Sequence, residues 1–93
     1  MNFENLIFSS HAIRQMFFRR IGDREVRQAI AYGEIIEENL ENTPFPSYLV
    51  LDFIDGRALH VVVSYDESTR TAYVVTAYIP DRELWTDNFR KRR

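Results

Sequence analysis

The chain has 93 residues, 45% of them hydrophobic and 14% aromatic, with 12 basic against 14 acidic side chains and a formal net charge of −2. That is enough apolar matter for one modest core and too little chain for two, and the composition excludes an intrinsically disordered segment. The absence of cysteine excludes a disulfide framework and a thiolate metal site, and no apolar run approaches membrane-spanning length. Met1 to Phe8 has no basic stretch ahead of an apolar one, so it does not read as a secretory signal, and the expected location is cytoplasmic, away from membranes.

Ser9 is an N-cap candidate, and Ile13, Met16, Phe17 and Phe18 recur at helical spacing, which predicts a helix from about Ser10 to Arg20. Gly22-Asp23 interrupts it, and Asp23 is placed to cap a second helix with Val26, Ala29 and Ile30 on its buried face. Gly33 is expected to end that helix in the left-handed conformation. Ile35-Ile36 reads as a short strand, and Asn39 to Ser47, with Pro44 and Pro46, as a loop. Ser47 to Ile54 and Arg57 to Tyr65 read as strands joined by the turn signal Asp55-Gly56. Asp66 to Arg70 is a polar turn, and Thr71 to Ile79 a third long strand stopped by Pro80. Asp81 to Phe89 fits a short helix or an extended arm, with Trp85 and Phe89 expected to clamp onto the core or anchor a partner.

These elements predict an α+β domain, two N-terminal helices packed on an antiparallel β-meander of three to four strands. The chain is expected to form a single domain over residues 1–93, with a helical hairpin at 1–33, the sheet at 34–79 and a basic C-terminal arm at 80–93. Met16, Phe17, Val26, Ile30, Val61, Val63 and Val75 agree with the period of their elements and form the expected core.

Charge is unevenly spread. Arginines concentrate in residues 1–27, acids in residues 28–55, and the chain closes on Arg90-Lys91-Arg92-Arg93. Eleven of the 12 basic residues are arginine, which pairs bidentately with phosphate or carboxylate. Two readings follow: arginines paired with the protein's own acids, or one basic face for a polyanion and an acidic face turned away.

The two histidines suggest chemistry. His11 shares one helix face with Gln15 and Arg19, four residues apart. His60 lies within a strand, opposite in parity to Leu59, Val61 and Val63. Alternation puts His60, Thr76 and Tyr78 on the less covered sheet face if the last two strands are neighbours, a parity that a β-bulge would swap. Histidine, tyrosine and arginine together suit metal-independent RNA cleavage. A base takes the 2′-hydroxyl proton, that oxygen attacks phosphorus, an acid protonates the leaving oxygen, and arginine offsets the charge. The candidate proton-transfer residues are His11, His60 and Tyr78, with Arg14, Arg19 and Arg57 on phosphate. Each has a plainer alternative, a packed or capping histidine, a core tyrosine, a solvated arginine. No histidine pair has zinc spacing, the three glycines are isolated turn residues, and neither metal nor cofactor is expected.

The ordered set His11-Ala12, Gln15-Met16, Arg19, Ile21, Val26, Ala29-Ile30, Gly33, Leu59-His60-Val61-Val62-Val63 and Val75-Thr76-Ala77-Tyr78 resembles the bacterial domain-of-unknown-function family 4258, over about residues 8–86. Members of that family are often encoded beside a zinc-ribbon antitoxin-like protein and look like distant relatives of the RelE and BrnT toxins. The resemblance implies a toxin of a toxin–antitoxin pair, a metal-independent endoribonuclease with a RelE-like fold, RNA as substrate and a zinc-ribbon antitoxin as partner. Many relatives carry arginine where this chain has Gln15, and the adjacent Arg14 points about 100° away around the helix. The alternatives are a non-catalytic binding or regulatory module, and a structural homo-oligomer formed through a strand edge.

Overall fold

The computed structural model describes residues 1–93. Seven elements follow in the order β1 (Asn5–Phe8), α1 (Ser10–Arg19), α2 (Asp23–Tyr32), β2 (Glu34–Asn39), β3 (Ser47–Ile54), β4 (Arg57–Asp66) and β5 (Thr71–Tyr78). The strands form one five-stranded sheet in the order β1-β5-β4-β3-β2. The class is α+β with two helices, as expected, but the sheet is mixed. β1 precedes the helices and pairs parallel with β5, Asn5 opposite Thr71 and Phe8 opposite Val74, while all other pairings are antiparallel. At four residues β1 is too short for alternation to stand out from an irregular N-terminus.

Local chemistry sets the boundaries. The Ser9 hydroxyl accepts from the Ala12 N–H at 3.0 Å and starts α1. Arg20, at φ 56°, ends it, its N–H reaching the Met16 and Phe17 carbonyls. The N-cap of α2 is Gly22 rather than Asp23, and the Gly22 N–H donates to Glu25 Oε1 at 3.1 Å. Gly33 is not left-handed: φ is −74° and ψ 174°. It is there for space, because a Cβ would lie 2.4 Å from the Ala29 carbonyl oxygen and 2.7 Å from that of Leu51. At the β3–β4 turn Asp55 (φ 53°) and Gly56 (φ 79°) both take positive φ, the geometry of a two-residue hairpin.

Both sheet faces are covered. On one, Ala12, Met16 and Ile21 with Val26, Ala29 and Ile30 meet Val50, Leu59, Val61, Val63, Ala72, Val74 and Ala77. On the other, Trp85 and Phe89 of the C-terminal segment pack on Leu49, Leu51 and Ala58. That segment is neither a helix nor an extended arm but a run of turns folded back on itself, with one backbone bridge between Trp85 and Arg92.

Two expected core residues lie elsewhere. Phe17 is 81% exposed, because α1 turns only Ala12 and Met16 inward. Val75 is 40% exposed, because the β4–β5 register slips there: Val62 faces Thr76 and Val63 faces Val74, leaving Val75 as the extra residue of a bulge.

Candidate functional site

The bulge decides the site. Before it, Ala72 and Val74 point to the helix-covered face; after it, Ala77 does so again, which leaves Thr76 and Tyr78 on the opposite face, each directly across from a β4 residue, Val62 and His60 respectively. His60 is fully buried, between Tyr78 (ring centroids 5.3 Å apart) and Trp85 (4.5 Å), both edge-on. The face expected to be the less covered one is therefore sealed at His60 by the arm.

Both ring nitrogens of His60 are engaged. Nε2 lies 2.9 Å from the Phe89 carbonyl oxygen and Nδ1 3.2 Å from the Tyr78 hydroxyl. A carbonyl can only accept, so Nε2 carries the proton, and the neutral ring then accepts the Tyr78 O–H at Nδ1. Burial pushes the His60 pKa below its ordinary value, against the opposing pull of the Phe89 carbonyl and Glu37, which favours the neutral ring. Burial pushes the Tyr78 phenol up, with Arg92 and Arg19 opposing it.

Tyr78 is half-buried and opens onto a polar cleft of about 230 Å³ shared with Glu37, Glu38, Asn39, Ser47, Tyr48 and Arg92. Arg92 donates side-on to both carboxylate oxygens of Glu37, at 3.0 and 3.1 Å, and lies 4.7 Å over the Trp85 ring. From the other side Arg19 donates to the Ala77 carbonyl at 2.8 Å and approaches the Thr76 hydroxyl at 3.5 Å. There β5 has run past the end of β1, and Arg19 covers the Ala77 carbonyl on that open edge. The hydroxyl of Tyr78 thus has a buried imidazole at hydrogen-bonding distance and two arginines acting on its charge.

Of the residues singled out in sequence, the fold brings together His60, Tyr78 and Arg19. His11 is exposed at the start of α1, about two turns from Arg19, and makes no side-chain hydrogen bond. Arg14 is exposed without an acid in reach, and Arg57 pairs with Glu25 of α2 at 3.0 Å on the opposite sheet face from His60. Arg92, Glu37 and the Phe89 carbonyl were not anticipated. The only hint in the sequence was the acidic run facing a basic tail, and those charges pair with each other, Arg90 with Glu34 and Arg92 with Glu37. No three His, Asp or Glu side chains converge on a point where a metal ion would sit, and no helix is long and apolar enough to cross a membrane.

The molecule is thus an α+β domain with a histidine–tyrosine pair held beneath a polar cleft. A family model described as a domain of unknown function (DUF4258) matches residues 8–79, and the chain belongs to that family. The match ends just past Tyr78, so His60, Tyr78 and Arg19 fall inside it and Arg92 outside it. No curated protein and no solved structure matches the chain.

Proposed function

We propose that this protein is a metal-independent endoribonuclease of the toxin type, with Tyr78 as the residue that meets the substrate. The observation that carries the reading is the Tyr78 hydroxyl, bonded to a neutral buried imidazole and opening onto the cleft that Arg92 also lines. In the reaction, Tyr78 Oη takes the proton of an RNA 2′-hydroxyl while its own phenolic proton passes to His60 Nδ1. The 2′-oxygen bonds to phosphorus, the bond from phosphorus to the 5′-oxygen breaks, the leaving oxygen takes a proton from water in the open cleft, and the hydroxide left behind recovers that proton from His60 through Tyr78, which resets the pair. A 2′,3′-cyclic phosphate remains. The doubly hydrogen-bonded imidazolium is stabilised by the Phe89 carbonyl and by Glu37, Arg92 in the cleft offsets charge at phosphorus, and Arg19 acts from a greater distance through its field. His60 never touches RNA, which agrees with its burial. His11, Arg14 and Arg57 are outside this proton relay, and a zinc-ribbon antitoxin remains the partner such a toxin would need.

A second reading, a non-catalytic binding module, is favoured by the pairing of Arg92 with Glu37, which leaves one fewer free charge for phosphate. The two separate on substrate chemistry. Purified protein in EDTA should cut an oligoribonucleotide, leave cyclic phosphate ends, and spare the same strand with 2′-hydrogens at the cut site. Cutting of the 2′-deoxy strand, or binding with no cutting, would defeat the ribonuclease reading; binding alone would favour the module.

A further inference from the structure

Helix α1 leaves its largest apolar side chains outside. Phe17 and Phe18 are 81% and 76% exposed, and Ile13 is 56% exposed. Ile13 and Phe17, one turn apart, line a groove of about 330 Å³ with Phe8, Met16, Ile21, Asp23 and Arg27. Asp23 is neutralised by Arg27 at 2.9 Å. The remaining charges beside the groove are of one sign. Arg14, Arg20 and Arg24 adjoin the lining residues Ile13, Ile21 and Asp23 in the chain, all are exposed, and none has an acid within ion-pair distance. Large apolar side chains left in water beside unpaired cations cost solubility and stability with no return inside the monomer.

We propose that this groove docks an acidic, amphipathic helical segment of another protein. Apolar side chains of the segment, spaced a helical turn apart, would enter between Phe8, Ile13 and Phe17, and carboxylates on its flanks would meet Arg14, Arg20 and Arg24. Charge decides against a second copy seated on the same face. A twofold axis through the groove would set Arg20 and Arg24 against their own equivalents. Shape decides against a bilayer, since the apolar side chains line a concavity. Against RNA, only Phe8 and Phe17 of the lining carry rings, and the aliphatic Ile13, Met16 and Ile21 between them suit apolar side chains better than stacked bases. The groove shares α1 with Arg19, but no residue lines both the groove and the cleft around Tyr78, and the proposal stands independently of the ribonuclease reading.

The test is a selection from a library of randomised peptides about sixteen residues long, some four helical turns, followed by fluorescence anisotropy on the winners. Selected peptides should be net acidic with apolar residues at helical spacing. Their affinity should fall with added salt, and by at least about tenfold on Phe17→Asp and on the double change Arg20→Glu with Arg24→Glu. These side chains are exposed, so both variants should keep the wild-type melting temperature; if one does not, the uncharged Phe17→Ser replaces the first, and Arg14→Glu with Arg24→Glu, which spares the α1 cap at Arg20, replaces the second. Winners without acidic character, or binding indifferent to Phe17, would overturn the proposal. So would a dimer in sedimentation dissolved by Phe17→Asp, or Phe17-dependent binding to phosphatidylserine vesicles or oligouridylate in place of peptide.

Discussion

His60 is set up by what surrounds it more than by its own chemistry. The Phe89 carbonyl fixes the proton on Nε2, Trp85 excludes water, and Nδ1 is left with its lone pair on Tyr78. Because burial lowers the folded-state pKa, the unfolded chain binds more protons than the folded one between that value and the ordinary 6.5. Stability is therefore full above 6.5, falls as pH drops through that point, and flattens below the folded value. Denaturant melts of the wild type from pH 7.5 to 5 should show this loss, and His60→Gln should remove it; an unchanged slope in the variant would assign the loss to other groups. Gly33 carries a steric constraint that composition does not reveal. A Cβ there meets two backbone oxygens, so Gly33→Ala should destabilise by about 1–3 kcal/mol, the range for overpacking, measured by urea unfolding.

At the scale of elements, β3, β4 and β5 could be read almost to the residue, because half-buried strands repeat every two positions and Asp55-Gly56 marks the turn between two of them. Periodicity failed where a local event broke it. The Val75 bulge is one extra residue in an otherwise continuous apolar run, and no sequence signal separates it from a strand position. It sends Val75 outward and brings Tyr78 to His60. In α1 the period was right and Met16 is buried as expected, but the buried face does not extend to Phe17. The helix presses Ala12 and Met16 inward, sets Arg19 against the open end of β5, and leaves Ile13 and Phe17 to the solvent. Apolar spacing says that a helix has an apolar face without saying that this face meets the core. Phe17→Ala should accordingly change stability by less than about 0.5 kcal/mol, whereas Ile30→Ala, fully buried in α2, should cost about 2–5 kcal/mol.

Across the whole molecule, the arm builds the candidate site. Residues after Pro80 have no regular pattern to read, yet they supply Trp85 and Phe89 to a second small core, a carbonyl to His60, and Arg92 to the cleft. Their ion pairs with Glu34 and Glu37 fasten the arm across β2, but at such exposure each contributes little, and the aromatic side chains hold it. Trp85→Ala should therefore cost about 3–5 kcal/mol, while Arg90→Ala should cost under about 1 kcal/mol, both by chemical denaturation. A small loss at Trp85 would show the arm to be loosely attached.

The central claim is that Tyr78, driven by His60, performs the proton transfer. The direct measurement is single-turnover cleavage of RNA, with and without ribosomes and always in EDTA, comparing wild type with Tyr78→Phe and His60→Gln. Tyr78→Phe loses one hydrogen bond and should stay folded, at a cost of about 0.5–1.5 kcal/mol. The account predicts cleavage by the wild type and a fall of about 10²–10⁴-fold in each variant, with no further fall in the double variant, since the two residues act as one relay. Wild-type cleavage that Tyr78→Phe leaves unchanged, or no cleavage under either condition, would contradict it.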